Sequence, residues 1–355
     1  MNARVTRRLA AAVVATTALA TLAACGDADP APAAGGPVTV GGVQIKKDPA
    51  LHAMLPDSVR KAGKVRVATD VPYPPFEMFV KEGGSELTGL DYDLGQALGG
   101  KLGVTFAFTP QKFDGIVPAI QAGKFDAAMS AITDNKERQQ VVDFVDYSQS
   151  GSGILVGNDN PAKIAGLNDL CGRKVAVQTA TNQLDLLKDH QAECAEAGKG
   201  RMEIQTFPKD SDAQLALRSG KVVAQVLTKP AAGWVAKTAD GGKAFDLVED
   251  PAAPGGYNAS PNGIAVSKRQ PELTDAIQKA LQALIDDGTV AKIYSKYGVA
   301  SIALKEATPV APAGWCSPTT ARLWTSPSPT TARTCPTSTS PRTSTGPRNT
   351  PATNP

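Results

Sequence analysis

Arg138 follows an apolar stretch, FDAAMSAI (125–132), and falls in the first turn of a polar segment, DNKERQQ. A guanidinium offers two parallel donors, the geometry that grips a carboxylate. Ser130 and Thr133, at the strand end beside it, add hydroxyls, and Ala131 adds backbone groups. The competing role for Arg138 is a surface helix residue paired with Asp134. Upstream, ATDVPYPPFE (68–77) sets Asp70 and Tyr73 on a stretch stiffened by three prolines. A residue before proline is pushed toward extended backbone, so Tyr73 projects from a loop and reads as one wall of a binding cleft. Asp70 could otherwise be a turn cap, and Tyr73 and Phe113 could otherwise be core aromatics. In QTATNQ (178–183), Thr181 and Asn182 open a helix whose free N–H groups favour an anion. Gln178, at the end of the preceding strand, could reach the same guest, and Thr181 also suits an ordinary N-cap.

The elements that must hold these side chains alternate between strand and helix. VRVAT (65–69) alternates like a strand, and DYDLGQALGGKLG (91–103) puts Leu94, Ala97, Leu98 and Leu102 on one helical face. Phe113 to Gly123 reads as a short helix with Ile116, Val117 and Ile120 inward and Gly123 as its stop. FDAAMSAI reads as a buried strand and DNKERQQVVDF as the opening of a helix. KVAVQT (174–179) and the helix from Thr181 repeat the unit. A strong helix over 272–286 and a shorter one ending at Tyr297-Gly298 close the pattern. Repeated βα units argue for an α/β architecture with mostly parallel sheets. Ligands in such folds bind beyond the carboxyl ends of strands, where residues 68–77 fall.

Both ends of the 355-residue chain differ from this body. Arg4, Arg7 and Arg8 precede the apolar run Leu9–Ala20, a secretory leader over 1–24 that is too short to span a bilayer. It ends in Leu22-Ala23-Ala24-Cys25, the pattern of a lipoprotein cleavage site, with Cys25 as the acylated residue. Residues 25–55, rich in Ala, Gly, Pro and Asp at their start, read as a flexible tether. The stretch 306–355 reads as a disordered tail, or as a wrong-frame translation after a sequence slip. From Pro309 onward it holds no Asp, Glu or Lys, and SPTTAR occurs twice, at 317 and 328. The leader carries +3 and the tail +4 of a net +3, leaving the body at −4, so the basic balance says nothing about nucleic acid. Cys171 and Cys194 are the cysteines of the body and are expected to pair in an oxidising compartment. With His52 and His190 as the chain's two histidines and no CxxC, neither a metal nor a cofactor is expected. GQALGGKL (95–102) lacks the final Ser or Thr of a phosphate loop and lies inside the helix repeat.

GLDYDLGQALGGKL (89–102) resembles the marker of the family 3 extracellular solute-binding proteins, the polar amino-acid receptors of ABC importers. Tyr92 stands where that marker usually has a small aliphatic residue or threonine. PYPPFE, FDGIVPAI, SAITDNKERQ, VAVQTATNQ and LIDDGTVAKIYSKYG extend the resemblance over about 60–305. It implies a two-lobe α/β fold of the periplasmic-binding-protein type II kind, with a ligand cleft between lobes. Lobe 1 would comprise 56–154 plus 260–305 and lobe 2 155–259, with crossings near Gly153–Asn158 and Gly255–Gly263. In the resembling proteins the positions of Ser130, Ala131, Thr133 and Arg138 contact the ligand's carboxylate and amino group. Those of Tyr73 and Phe113 pack on its apolar stem, and that of Asp70 can hydrogen-bond a polar side chain. Gln178, Thr181 and Asn182 would act from lobe 2.

One departure bears on the ligand. Thr228 occupies the position where the amino-acid receptors usually carry an aspartate for the α-ammonium, and Val223 replaces another usual acid. A hydroxyl supplies a hydrogen bond without charge, so another acid takes that duty or the ligand lacks a free amine. Lys229 beside it would favour a second anionic group. The implied function is capture of a small polar solute by a monomeric lipoprotein on the outer face of the cytoplasmic membrane, for delivery to separate ABC permease subunits. Two rivals are a ligand sensor without transport and a cyclohexadienyl-type dehydratase on the same fold. The enzyme would need a general acid or base in the cleft, for which Asp70 and Asp114 are the candidates.

Overall fold

The computed structural model describes residues 38–310; the leader, Cys25 with its expected lipid, and the chain beyond Val310 lie outside the described residues. Among the described residues ten strands form one mixed sheet that runs from one lobe into the other. In lobe 1, Lys64–Thr69 lies between Thr105–Pro110 and Ala127–Ala128, all parallel. Val65 and Val67 are fully buried, as their alternation requires. In lobe 2, Lys174–Gln178 lies between Glu203–Phe207 and Ala224–Thr228, again parallel. Thr69, Gln178 and Thr228 thus end their strands at the cleft.

The antiparallel strands Val142–Gly157 and Tyr257–Ser267 join the two halves. Val142–Gly157 is 16 residues long and changes partner along its length. Ser150 faces Ser260 of the returning strand, whereas Gly153 to Val156 face Leu227 to Ala224 of lobe 2. The first handover therefore lies at Ser150–Ser152, earlier than the expected Gly153–Asn158, because lobe 2's own strand captures the chain from Ser152 onward. Here the crossings touch backbone to backbone. The Gly151 N–H donates to the Gly255 carbonyl at 3.0 Å, and a Cβ on Gly151 would lie 2.4 Å from the Gly256 carbonyl carbon. Only glycine fits such an approach.

Helix Leu90–Leu102 buries Leu94, Ala97, Leu98 and Leu102 completely. Its start is pinned by Gly89, whose φ is +128° and where a Cβ would meet the Phe76 carbonyl oxygen at 2.3 Å. The Leu90 and Asp91 N–H groups donate to the Pro75 and Phe76 carbonyls, each at 2.9 Å, which binds the helix to the PYPPFE loop. Tyr92, the unusual residue of this helix, packs its ring 5.2 Å from that of Phe108. Helix Pro271–Asp286 buries Leu273, Ala276, Ile277, Ala280, Leu281 and Leu284, and Thr289–Lys296 follows it.

Several expectations need correction. The tether drawn over 25–55 is folded from Val38 on. VTV and VQI form a hairpin around Gly41-Gly42, both with positive φ, and bury Val40 and Ile45. Helix Pro49–Met54 follows, with Asp48 as its N-cap. At the other end, Ala303–Val310 is a strand paired with Val142–Gly157, so the tail boundary at 306 falls inside it. The Gln282 side chain accepts the Ala307 N–H at 2.9 Å and Gln278 donates to the Ala307 carbonyl at 3.1 Å, which ties this segment to the body. Within FDAAMSAI all residues are buried, but Ala127–Ala128 alone form regular strand, since the chain turns at Ala131 (φ +45°). DNKERQQVVDF holds one helical turn, Lys136–Gln139, because Val142 already belongs to the long strand. Phe113–Gly115 is a 3₁₀ turn before helix Ile116–Gln121, and Val117 is half-buried rather than inward. Among the described residues no helix is long and apolar enough to cross a membrane.

Cys171 and Cys194 are joined in a disulfide in lobe 2, with Cα atoms 5.5 Å apart. His190 lies beside the pair, but both sulfurs are committed to each other, and its Nε2 bonds Asn168 Oδ1 at 2.8 Å.

Candidate functional site

The lobe 1 wall is built on the turn after strand Lys64–Thr69. Tyr73 N–H donates to the Glu77 carbonyl at 2.7 Å and Phe76 N–H to the Tyr73 carbonyl at 3.0 Å, closing the loop on itself. The Tyr73 and Phe76 rings stack with centroids 6.0 Å apart. Asp70 N–H donates to Ser130 Oγ at 2.9 Å, and Ser130 Oγ–H donates to Glu77 Oε1 at 2.7 Å. Asp91 Oδ2 accepts from Ala131 N–H at 2.8 Å and from the Tyr147 hydroxyl at 2.9 Å. Two loop ends are thereby fastened to one buried acidic pair.

Arg138 sits in the one-turn helix capped by Asn135, whose Oδ1 accepts the Arg138 N–H at 2.8 Å. Its guanidinium donates to the Thr133 carbonyl at 2.7 Å and, across the cleft, to the Ala180 carbonyl at 2.9 Å. The Phe113 ring lies under it, 5.5 Å from the guanidinium carbon. The surface role with Asp134 does not hold: Asp134 Oδ1 takes its hydrogen bond from Gln139 at 2.8 Å.

From lobe 2, Gln178 Nε2 donates to Asp70 Oδ2 at 2.6 Å. Thr181 is the N-cap of helix Asn182–Asp189, accepting the Leu184 N–H at 3.2 Å while lining the cleft. Asn182 Oδ1 accepts from Asn135 Nδ2 at 2.8 Å. Thr228 donates its N–H to the Tyr73 hydroxyl at 3.0 Å, and its own hydroxyl lies 2.8 Å from the same oxygen. Lys229 faces elsewhere, toward Glu249 at 2.8 Å and the Pro254 carbonyl at 2.9 Å, so it offers no anion site to the cleft.

One cavity collects all eleven expected residues: Asp70, Tyr73, Phe113, Ser130, Ala131, Thr133 and Arg138 from lobe 1, with Gln178, Thr181, Asn182 and Thr228 from lobe 2. Glu77 and Gln183 also line it and escaped the sequence reading. Glu77 closes PYPPFE, but no spacing marks a lone acid as buried. Gln183 follows Thr181 and Asn182 in the first turn of the same helix, but consecutive helical positions point about 100° apart, so the motif did not mark it. Asp114, considered as a catalytic acid, is not part of the lining. The lobes are closed upon each other, leaving about 20 Å³ between these side chains, room for one water. A larger guest must exchange partners with Tyr73–Thr228, Asp70–Gln178 and Arg138–Ala180.

Residues 65–300 match the family model of the bacterial extracellular solute-binding proteins, family 3. The chain belongs to this family. Its relatives include the arginine-binding protein ArgT of Corynebacterium glutamicum, 32% identical over 267 residues, covering 74% of this chain and 84% of the relative. Among solved structures, an ancestral arginine-binding protein bound to arginine is 36% identical with a TM-score of 0.58, over 66% of this chain and 98% of that one. An ancestral amino-acid-binding protein described as a precursor of cyclohexadienyl dehydratase is also 36% identical, with a TM-score of 0.59, over 68% of this chain and 98% of that one.

The electrostatics of this family 3 solute-binding protein are set by buried acids. Burial pushes the Asp91 carboxyl up to about 7 and Glu77 well above its ordinary range. Glu77 Oε2 and Asp91 Oδ1 are buried and have no hydrogen-bond partner among the described residues. Burial thus favours the protonated form of both carboxyls beneath Ser130 and Ala131, and the charge of Asp91 raises the cost of ionising Glu77. Burial also raises Asp70, an effect reinforced by Asp114 and opposed by the Gln178 hydrogen bond and the Lys209 charge. Asp210, behind Asp70, is lifted by burial to about 7. Burial lowers the pKa of Arg138, yet a guanidinium remains charged. The cleft lining therefore combines a cation, Arg138, with the acid Asp70 and the aromatic side chains of Tyr73 and Phe113.

Proposed function

We propose that this protein captures a cationic amino acid, arginine first among the candidates, outside the cytoplasm and delivers it to the membrane subunits of an ABC importer. The observation that carries the reading is that Arg138 and Asp70 line one cavity together, with Asp210 near Asp70. The ligand's carboxylate takes the two donors that Arg138 now gives to Thr133 and Ala180, aided by the N-terminus of helix Asn182–Asp189. Its aliphatic stem lies between Tyr73 and Phe113, and its cationic head meets Asp70. The relatives named as arginine-binding proteins support this choice. Lobe 2 closes about the Gly151–Gly256 crossing once ligand is docked, because its groups reach the ligand only in the closed form. Tethering through a lipid on Cys25 keeps the monomer near its importer.

We read the site as one for binding without chemistry. The dehydratase reading has the ancestral neighbour in its favour, but Asp70 is hydrogen-bonded to Gln178 and Glu77 to Ser130, so both are engaged in structure. The test is calorimetry with L-arginine, L-lysine, L-glutamine and agmatine, which lacks the carboxylate. Arginine is expected to bind, agmatine to fail, and Arg138→Ala to weaken arginine at least a hundredfold. At about 1,000 times its dissociation constant, arginine should add roughly 4 kcal/mol of stability. Equal binding of arginine to the Arg138→Ala variant would overturn the assignment.

A further inference from the structure

A second cavity of about 130 Å³ lies between the lobes, sharing Thr133, Asn182, Gln183 and Thr228 with the first. Ser152, Thr133 and Gln183 line it at 4%, 8% and 8% exposure. Their hydroxyls and amide give the space a polar wall suited to a polar guest. The space is also acidic. Asp185 and Asp189, one turn apart on helix Asn182–Asp189, both face it, and no lysine or arginine lines it. Asp185 has Lys188 at 3.3 Å, whereas Asp189 has no cationic partner among the described residues.

We propose that this second chamber receives the amino-terminal residue of a dipeptide whose cationic C-terminal residue occupies the first. The inference rests on the amino-acid reading given above, which fixes the carboxylate at Arg138. The α-nitrogen then faces the wall shared by the two chambers, formed by Thr133 and Thr228. Thr228 is neutral: its hydroxyl can accept from a peptide N–H, a donor without charge, where an aspartate would match an ammonium. One further residue advances the chain by about 3.8 Å. That carries a free ammonium through the shared wall toward Asp189, with the new carbonyl facing the donors of Ser152 and Gln183. The replacement of the expected acid by Thr228 and the acids in the next chamber are then one arrangement, with the ammonium site moved outward by one residue.

The experiment is calorimetry on the full chain with L-arginine, glycyl-L-arginine, L-arginyl-glycine and Nα-acetyl-L-arginine. Glycyl-L-arginine is expected to bind at least tenfold tighter than arginine and than the acetyl compound, which lacks the ammonium; the reversed dipeptide is expected to fail. Asp189→Asn should weaken glycyl-L-arginine at least fivefold and leave arginine unchanged. If arginine binds and glycyl-L-arginine binds no better, or if Asp189→Asn weakens both alike, the second chamber is a water-filled recess and the proposal falls while the amino-acid reading stands. If none of the four binds, the amino-acid reading itself has failed.

Discussion

At the scale of single residues, this protein carries an unusual load of buried carboxyls. Burial raises both Glu77 and Asp91 under the cleft, and Ser130 above them has its hydroxyl hydrogen committed to Glu77. The Ser130 oxygen also accepts the Asp70 N–H, which leaves one lone pair for a guest's donor. Asp146 is a simpler case: 3% exposed, with Oδ1 lacking a partner, and lifted by burial to about 7 from an ordinary 3.8. The folded state binds this proton more tightly than the unfolded chain does. Its contribution to stability is therefore fully present below about pH 4 and lost as pH rises through about 7. Asp146→Asn should leave the unfolding midpoint almost unchanged at pH 4 and raise it at pH 8. Thermal unfolding of both proteins across that range checks the sign, and a midpoint lowered at pH 8 would refute it.

At the scale of elements, the crossing strands decide how the site assembles. The Gly151–Gly256 contact lets two backbones approach where no side chain fits, with Gly256 at φ +91°. Gly151→Ala forces the crossings apart or twists them, with an expected cost of about 2 kcal/mol in urea unfolding. The same variant should weaken ligand binding although it touches no lining residue, because lobe 2 would close off register. A variant that lost neither stability nor affinity would remove the crossing from its proposed role as the pivot.

At the scale of the whole molecule, closure is made by hydrogen bonds from one lobe to the other, among them Tyr73–Thr228, Asp70–Gln178, Asn135–Asn182 and Arg138–Ala180. These are the groups that a ligand must share, so closure and binding compete for the same donors and acceptors. The disulfide acts separately, inside lobe 2. Joining residues 23 apart in sequence should stabilise the fold by about 3 kcal/mol in the chain-entropy account. Replacing Cys171 and Cys194 by alanine should remove that stability and leave ligand affinity intact below the new midpoint. A parallel loss of affinity at low temperature would mean that the bridge also shapes the cleft.

The sequence by itself determined the local units and the chemistry of the cleft. Helical phase in DYDLGQALGGKLG, alternation in KVRVAT and the N-cap at Thr181 are properties of short segments, and the eleven residues picked from motifs converge on one cavity. Where a partner far along the chain decides the outcome, the sequence misled. VVDF became strand because Tyr257–Ser267 pairs with it, and Val38–Leu55 folded because helix Leu90–Leu102 offered an apolar surface. Only tertiary structure could raise Glu77 and Asp91 together, since that requires burial and proximity across a loop and a helix. It also decided that Thr228 bonds Tyr73 and opens beside a second, acidic chamber. Side-chain type is written in the chain; dielectric, distance and pairing arise only when segments meet.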